Sequence, residues 1–216
     1  MNDTNEITVV SRRSATQARG RARREKLLQT AAELLGEKEL EEITFNEVAQ
    51  RAEIPKGSAY HFYANVMDLY SALTEQIGAD LLATLSAPID SDQVKRWEDV
   101  LAELCRRTEQ FYDQRPDARQ LLIGGKTPPQ YKSTDRENDR RIGALLKHQL
   151  SQHFKLPSIP NELDVLYYAV SIIDLIYCLS MIRHNHITEE MGEEAVRAGV
   201  AYLRTYLPEI LPRVES

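Results

Sequence analysis

The chain has 216 residues, 42% of them hydrophobic, and a formal net charge of −6. That apolar content suffices for a substantial core, and with no run of about eighteen apolar residues nothing is expected to span a membrane. Residues 1–20 lack an apolar signal core, so a cytoplasmic location is expected. Cys105 and Cys178 are far apart and form no metal or redox motif; they read as reduced core thiols, with neither a cofactor nor a metal implied.

In chain order, residues 1–20 are polar and without helical period, and read as a flexible arm. Arg12, Arg13, Arg19, Arg21, Arg23, Arg24 and Lys26 place seven positive charges in fifteen residues, against Glu25 alone. Residues 1–63 carry ten basic and ten acidic side chains, so the remaining 17 basic and 23 acidic ones hold the entire net charge. A basic cluster against an acidic background points to a local anionic partner. Leu27, Leu28, Ala31, Leu34 and Leu35 then form one stripe of an amphipathic helix, about 21–38. Thr44 and Glu47 are spaced as a capping box, and Phe45, Val48, Ala49 and Ala52 make the stripe of a short second helix. Pro55 breaks the chain after Ile54 and suits the first turn of a third helix, Lys56–Tyr63. Small residues at Gly57, Ser58 and Ala59 with Lys56 at its leading end allow close approach to DNA. Tyr60, His61, Phe62 and Tyr63 add packing and phosphate donors.

This set of residues resembles the TetR family of transcriptional regulators. Ile43-Thr44, Val48-Ala49, Ala52, Ile54-Pro55-Lys56-Gly57-Ser58, Tyr60, Tyr63, Asn65 and Leu69 match its amino-terminal pattern in register. Three positions depart from it: Glu53 replaces the usual turn glycine, Phe62 a phosphate-reaching His, and Val66 a Lys at the start of the fourth helix. A left-handed Glu53 is expected to cost on the order of 1 kcal/mol. By resemblance, the DNA-contacting set is Thr44, Asn46, Lys56, Gly57, Ser58, Tyr60 and His61, with Arg21, Arg23 and Arg24 from the basic segment.

Beyond the motif, Asn65 caps a fourth helix whose stripe runs from Val66 to Leu85, long enough to act as a stiff lever of about 30 Å. Helix five is expected at about 93–114, a short helix from Pro116 to about Ile123, and a loop over 124–129. Helix seven follows at about 133–154. The segment 163–182 is apolar nearly all round and is expected to be buried on all sides, part of it by a second copy. In the last helix, about 188–207, Ala195, Ala198, Gly199 and Tyr202 are spaced to admit a partner backbone. The expected fold is all-α: a flexible arm (1–20), a three-helix DNA-binding head (21–70), and a larger ligand-binding and dimerisation domain (71–216) joined to it by the long fourth helix.

The resemblance implies a homodimer through the last two helices, a double-stranded DNA operator of near-palindromic sequence and a small-molecule effector that releases it. DNA binding without ligand control, and activation, are the alternative readings. Residues mixing apolar bulk with a polar tip are the candidate ligand contacts: Trp97, Cys105, Tyr112, Tyr168, Asp174 and Tyr177. Asp174 lies inside an apolar run, where a carboxylate needs a partner; a ligand and a core group both qualify. Catalytic readings are weak. Gly125-Lys126-Thr127 lacks the phosphate-loop glycine at position 120, which is Gln, and His184-Asn185-His186 has no nearby carboxylate or Cys.

Overall fold

The computed structural model describes residues 3–126 and 129–214, and side chains from 17 to 126 and from 136 to 214. The described secondary structure is helical, apart from one antiparallel bridge between Phe154 and Arg213. The chain divides into two compact units at Leu73 and Thr74.

The first unit holds α1 (Asp3–Leu35), a 3-10 turn (Leu40–Glu42), α2 (Phe45–Arg51), α3 (Lys56–Phe62) and the first turns of α4 (Val66–Leu85). Its core joins Leu27, Leu34 and Leu35 of α1 to Phe45 and Val48 of α2, Ala59 and Tyr63 at α3, and Leu69 and Tyr70 of α4. The Tyr70 hydroxyl donates to Leu40 O at 3.3 Å, giving that buried polar tip an acceptor. Where an irregular arm was expected, α1 runs back to Asp3. Residues 3–19 contain neither Pro nor Gly. Once Leu27 and its neighbours have docked, further turns add without the cost of a new nucleus. The side chains of Arg12 and Arg13 and the loop residues Thr127 and Pro128 lie outside the described residues.

Local chemistry sets the turn between α2 and α3. Ala52 N–H bonds back to Val48 O and Ile54 N–H to Ala49 O, while Glu53 between them has φ 55°. The left-handed residue foreseen at this position is therefore present, at about 1 kcal/mol for a residue with a Cβ. The Asn65 side chain caps α4 by accepting from Met67 N–H at 2.8 Å and Asp68 N–H at 3.0 Å.

The second unit holds the rest of α4, α5 (Trp97–Gln114), α6 (Pro116–Ala118) with a π turn (Arg119–Ile123), α7 (Pro129–His153), α8 (Glu162–His184) and α9 (Glu189–Leu203). Helix α5 starts later than expected because Asp99 Oδ2 accepts from the N–H groups of Lys95 and Arg96, both at 2.7 Å, closing its first turn there. Helix α7 starts earlier, at Pro129, a residue suited to a first helical turn. Helices α7 and α8 approach so closely at Gly143 that a Cβ there would lie 2.9 Å from Tyr167 N.

Helix α8 is long and apolar enough to cross a membrane by length and composition, a test that core helices also pass. Within a single chain Leu175 (57%) and Ile182 (64%) are largely exposed, and Tyr168 is half exposed, which leaves a face of the kind expected to be covered by a second copy. In α9, Ala195 and Gly199 face inward, and a Cβ on Gly199 would lie 2.8 Å from Ile173 Cδ1. Those small residues therefore admit the chain's own α8 instead of a partner backbone. The carboxyl-terminal segment clamps the unit, with Trp97 Nε1–H donating to Pro208 O at 3.0 Å and Lys155 N–H to Pro212 O at 2.8 Å.

Candidate DNA-reading face and ligand cavity

On the first unit, α3 is held by its buried side, through Ala59 and the following Tyr63, and shows its other side to solvent. Lys56, Gly57, Tyr60 and His61 are exposed and Ser58 half-buried. Tyr60 stands edge-on against Phe45, ring centroids 4.9 Å apart, which fixes its direction while leaving it 43% exposed. Its hydroxyl reaches Asn46 Oδ1 at 3.5 Å, and Lys56 Nζ lies 5.8 Å from its ring. A Cβ built on Gly57 would meet nothing within 4 Å, so the backbone is open to a large partner there.

Helix α1 adds basic groups at the same face. Arg23 donates to Ser58 Oγ at 3.3 Å, and Arg24 Nε–H donates to the Tyr63 hydroxyl at 3.0 Å. Arg21 is exposed. Thr44 is the α2 N-cap, its Oγ1 accepting from Glu47 N–H at 3.2 Å. The Glu47 carboxyl is held below its ordinary value chiefly by the Lys38 ammonium, with the Thr44 backbone N–H contributing. Phe62 points elsewhere, since a Cβ on Gly20 would sit 3.9 Å from its ring. The arrangement gathers donors with little apolar area around an exposed helix, as phosphate and base edges require.

The second unit holds a partly open pocket with about 620 Å³ of empty space, counting the solvent at its mouth. Leucines of α4 and α5, Leu122 of the π turn, Ile142 and Leu146 of α7, and Val170 and Ile173 of α8 make it predominantly apolar. Of the six candidate contacts, Cys105, Tyr112, Asp174 and Tyr177 line it. Trp97 and Tyr168 do not: Trp97 is packed in the core against Pro208 O, and Tyr168 is half exposed on α8.

Sequence reasoning missed Gly78, Thr108, Asn138 and Asp139, which also line the cavity. Asn138 falls on the stripe of Ile142 and Leu146 at i+4 and i+8, and that periodicity was the available signal. Burial pushes the Asp139 carboxyl up, opposed by the Ser171 hydroxyl and the Arg136 guanidinium, each 3.1 Å away. Burial also raises the Cys105 thiol to about 12, so it stays protonated at neutral pH. The Tyr177 hydroxyl is raised well above its usual value, first by burial and then by Cys105 and Glu109. It donates to Glu109 Oε1 at 3.1 Å. Asn185 has φ 60° and closes the end of α8, which accounts for the His-Asn-His run as a helix terminus. Among the described residues no group of three His, Cys, Asp or Glu is placed to hold a metal ion.

A short exposed helix on a bracing pair, in a chain whose second helical unit holds an apolar pocket, has the geometry of a helix-turn-helix. Residues 27–73 match the family described as "Bacterial regulatory proteins, tetR family". The fold is shared with solved TetR-family structures. One, a TetR-family transcriptional regulator from Streptomyces coelicolor, is 21% identical with a TM-score of 0.67, covering 86% of this chain and 99% of that one. Another, the TetR-family repressor FadR of Thermus thermophilus in complex with lauroyl-CoA, is 18% identical with a TM-score of 0.61, covering 89% and 100%. The multidrug binding protein EbrR, complexed with imidazole, is 22% identical with a TM-score of 0.58, covering 90% and 97%. Among curated proteins none matches this sequence. Over residues 27–73 the chain is similar to the TetR family's regulatory proteins, and its fold is the one their solved structures share; proteins of that family are in general DNA-binding and not enzymes.

Proposed function

We propose that the chain is a ligand-responsive repressor that binds a near-palindromic operator as a homodimer and is released by a small molecule. The observation that carries the reading is the pairing of an exposed, donor-rich α3 with a largely apolar pocket whose walls include Gly78, Leu81 and Leu85 of α4. The same helix begins at Val66, inside the DNA-binding unit. A ligand that prefers one position of α4 shifts the population between a DNA-competent and an incompetent state. Lys56, Ser58, Tyr60, His61 and Asn46 are the groups assigned to the major groove. Arg21, Arg23 and Arg24 are assigned to the backbone beside it.

Tyr168, Leu175, Leu179 and Ile182 form an exposed apolar row on one face of α8, at spacings of seven, four and three residues. A second copy on that row would bury it, and a homodimer matches the two half-sites of a near-palindromic operator. The test is footprinting on the DNA upstream of the chain's own gene, repeated with a panel of small apolar metabolites. A protected palindrome that one compound abolishes is expected. Sequence-independent protection would sink the operator reading, and a footprint indifferent to every compound would leave a DNA binder without ligand control.

A further inference from the structure

Gly78 stands in the interior of α4, where glycine is less favourable than alanine. The space of its absent side chain is taken by an amide: a Cβ there would lie 2.6 Å from Asn138 Cγ and within clashing distance of Nδ2. Asn138 is 5% exposed and lines the cavity, and its Nδ2 has no hydrogen-bond partner among the described residues. Other polar groups on the wall already have partners. The Thr108 hydroxyl donates to Leu104 O at 2.9 Å, the Tyr177 hydroxyl to Glu109, and Asp139 accepts from Ser171 and Arg136. Asp174 Oδ2 receives the Cys178 thiol at 3.8 Å. A buried amide donor without an acceptor is costly, and native proteins keep few of them.

We infer that Asn138 determines effector specificity: its Nδ2 donates to an acceptor oxygen on an otherwise apolar, uncharged effector of the ketone or ester class. The inference rests on the cavity being the effector site. An anion is disfavoured by the two carboxylates in the wall. A carbonyl oxygen supplies the missing acceptor, while the rest of the molecule displaces no satisfied polar group.

The test compares two probes of one shape, acetophenone and α-methylstyrene, which differ by an oxygen in place of a methylene. Calorimetric titration of the full chain gives the ratio of their dissociation constants. In Asn138→Leu, similar in volume, that ratio is expected to move about tenfold against the ketone, the worth of one hydrogen bond to a buried donor. Asn138→Ala is the second variant should Leu fail to fold, with the same loss of discrimination expected in an enlarged cavity. An unchanged ratio in the folded variants overturns the role of Asn138 and leaves the cavity reading standing. If neither probe binds the unaltered chain up to its solubility limit, the cavity is not an apolar ligand site, and both readings fall.

Discussion

Two glycines separate the working parts of this molecule. Gly57 on α3 faces open space, and nothing in its own unit would meet a side chain there. Gly78 on α4 faces the Asn138 amide and lines the apolar pocket. In the first unit the proposed functional groups are exposed, held in direction by one or two contacts each, and their unmet valences belong to water until a duplex arrives. In the second they are buried among leucines, where an unmet valence is a standing cost. A surface that must meet a large polyanion can stay wet, whereas a cavity that must discriminate among small molecules has to be dry and nearly satisfied.

The contrast breaks most visibly in the core of the second unit. Trp97→Ala removes a fully buried indole and leaves Pro208 O without its donor. It should cost about 3–5 kcal/mol in urea denaturation. A loss below ~1 kcal/mol would mean that the carboxyl-terminal clamp is not part of the core. Lys56→Ala and Tyr60→Phe should each weaken operator binding by roughly threefold to tenfold at unchanged thermal stability, and Lys56→Ala should also lower the salt slope by about 0.9. Unaltered affinity and slope in both variants would remove α3 from the interface.

Gly57→Ala sharpens the contrast. The added methyl meets nothing in the protein, so stability should rise by up to about 1 kcal/mol, while operator affinity falls if the duplex backbone lies against that position. A rise in both would show that the open space is not filled by DNA. The smallest effect is a pH dependence. The Glu109 carboxyl is raised, chiefly by burial and against the Tyr177 hydroxyl that donates to it. The folded state therefore holds this proton more tightly than the unfolded one. Its contribution to stability is full below the ordinary value of 4.5 and is lost as pH rises through the raised folded value. Glu109→Gln, melted across that interval, should show a flatter profile and a higher Tm at neutral pH. A profile as steep as that of the unaltered chain would place the pH dependence in other groups.

The DNA-reading unit was legible because its cues are local. Pro55, the Thr44 cap and the apolar spacing of Phe45 and Val48 each act within a turn or two of chain, and even the cost at Glu53 could be named beforehand. The cavity was harder, since a wall is assembled from four or five helices and no short window contains it. Cys105, Tyr112, Asp174 and Tyr177 were found by their mixed chemistry. Trp97 was misplaced because bulk with a polar tip suits a core hydrogen bond equally well. Asn138 was overlooked because an amide at the edge of a charged stretch, RENDRR, reads as solvent-facing until the stripe is followed back past Ile142. The start of α1 failed for a different reason: a polar segment without a period carries no packing signal, and its helix is inherited from the turns behind it.

The bare backbone at Gly143 has a mechanical corollary. With no side chain between them, α7 and α8 are seated almost main chain to main chain and cannot slide apart without opening a void that nothing nearby would fill. Two walls of the cavity thus behave as one plate. On the opposite side α4 and α5 contribute leucines that can change rotamer, so that side would yield first to a guest larger than the resting space. In the effector reading proposed above, guest size as well as guest chemistry would bear on α4, whose first turns belong to the other unit.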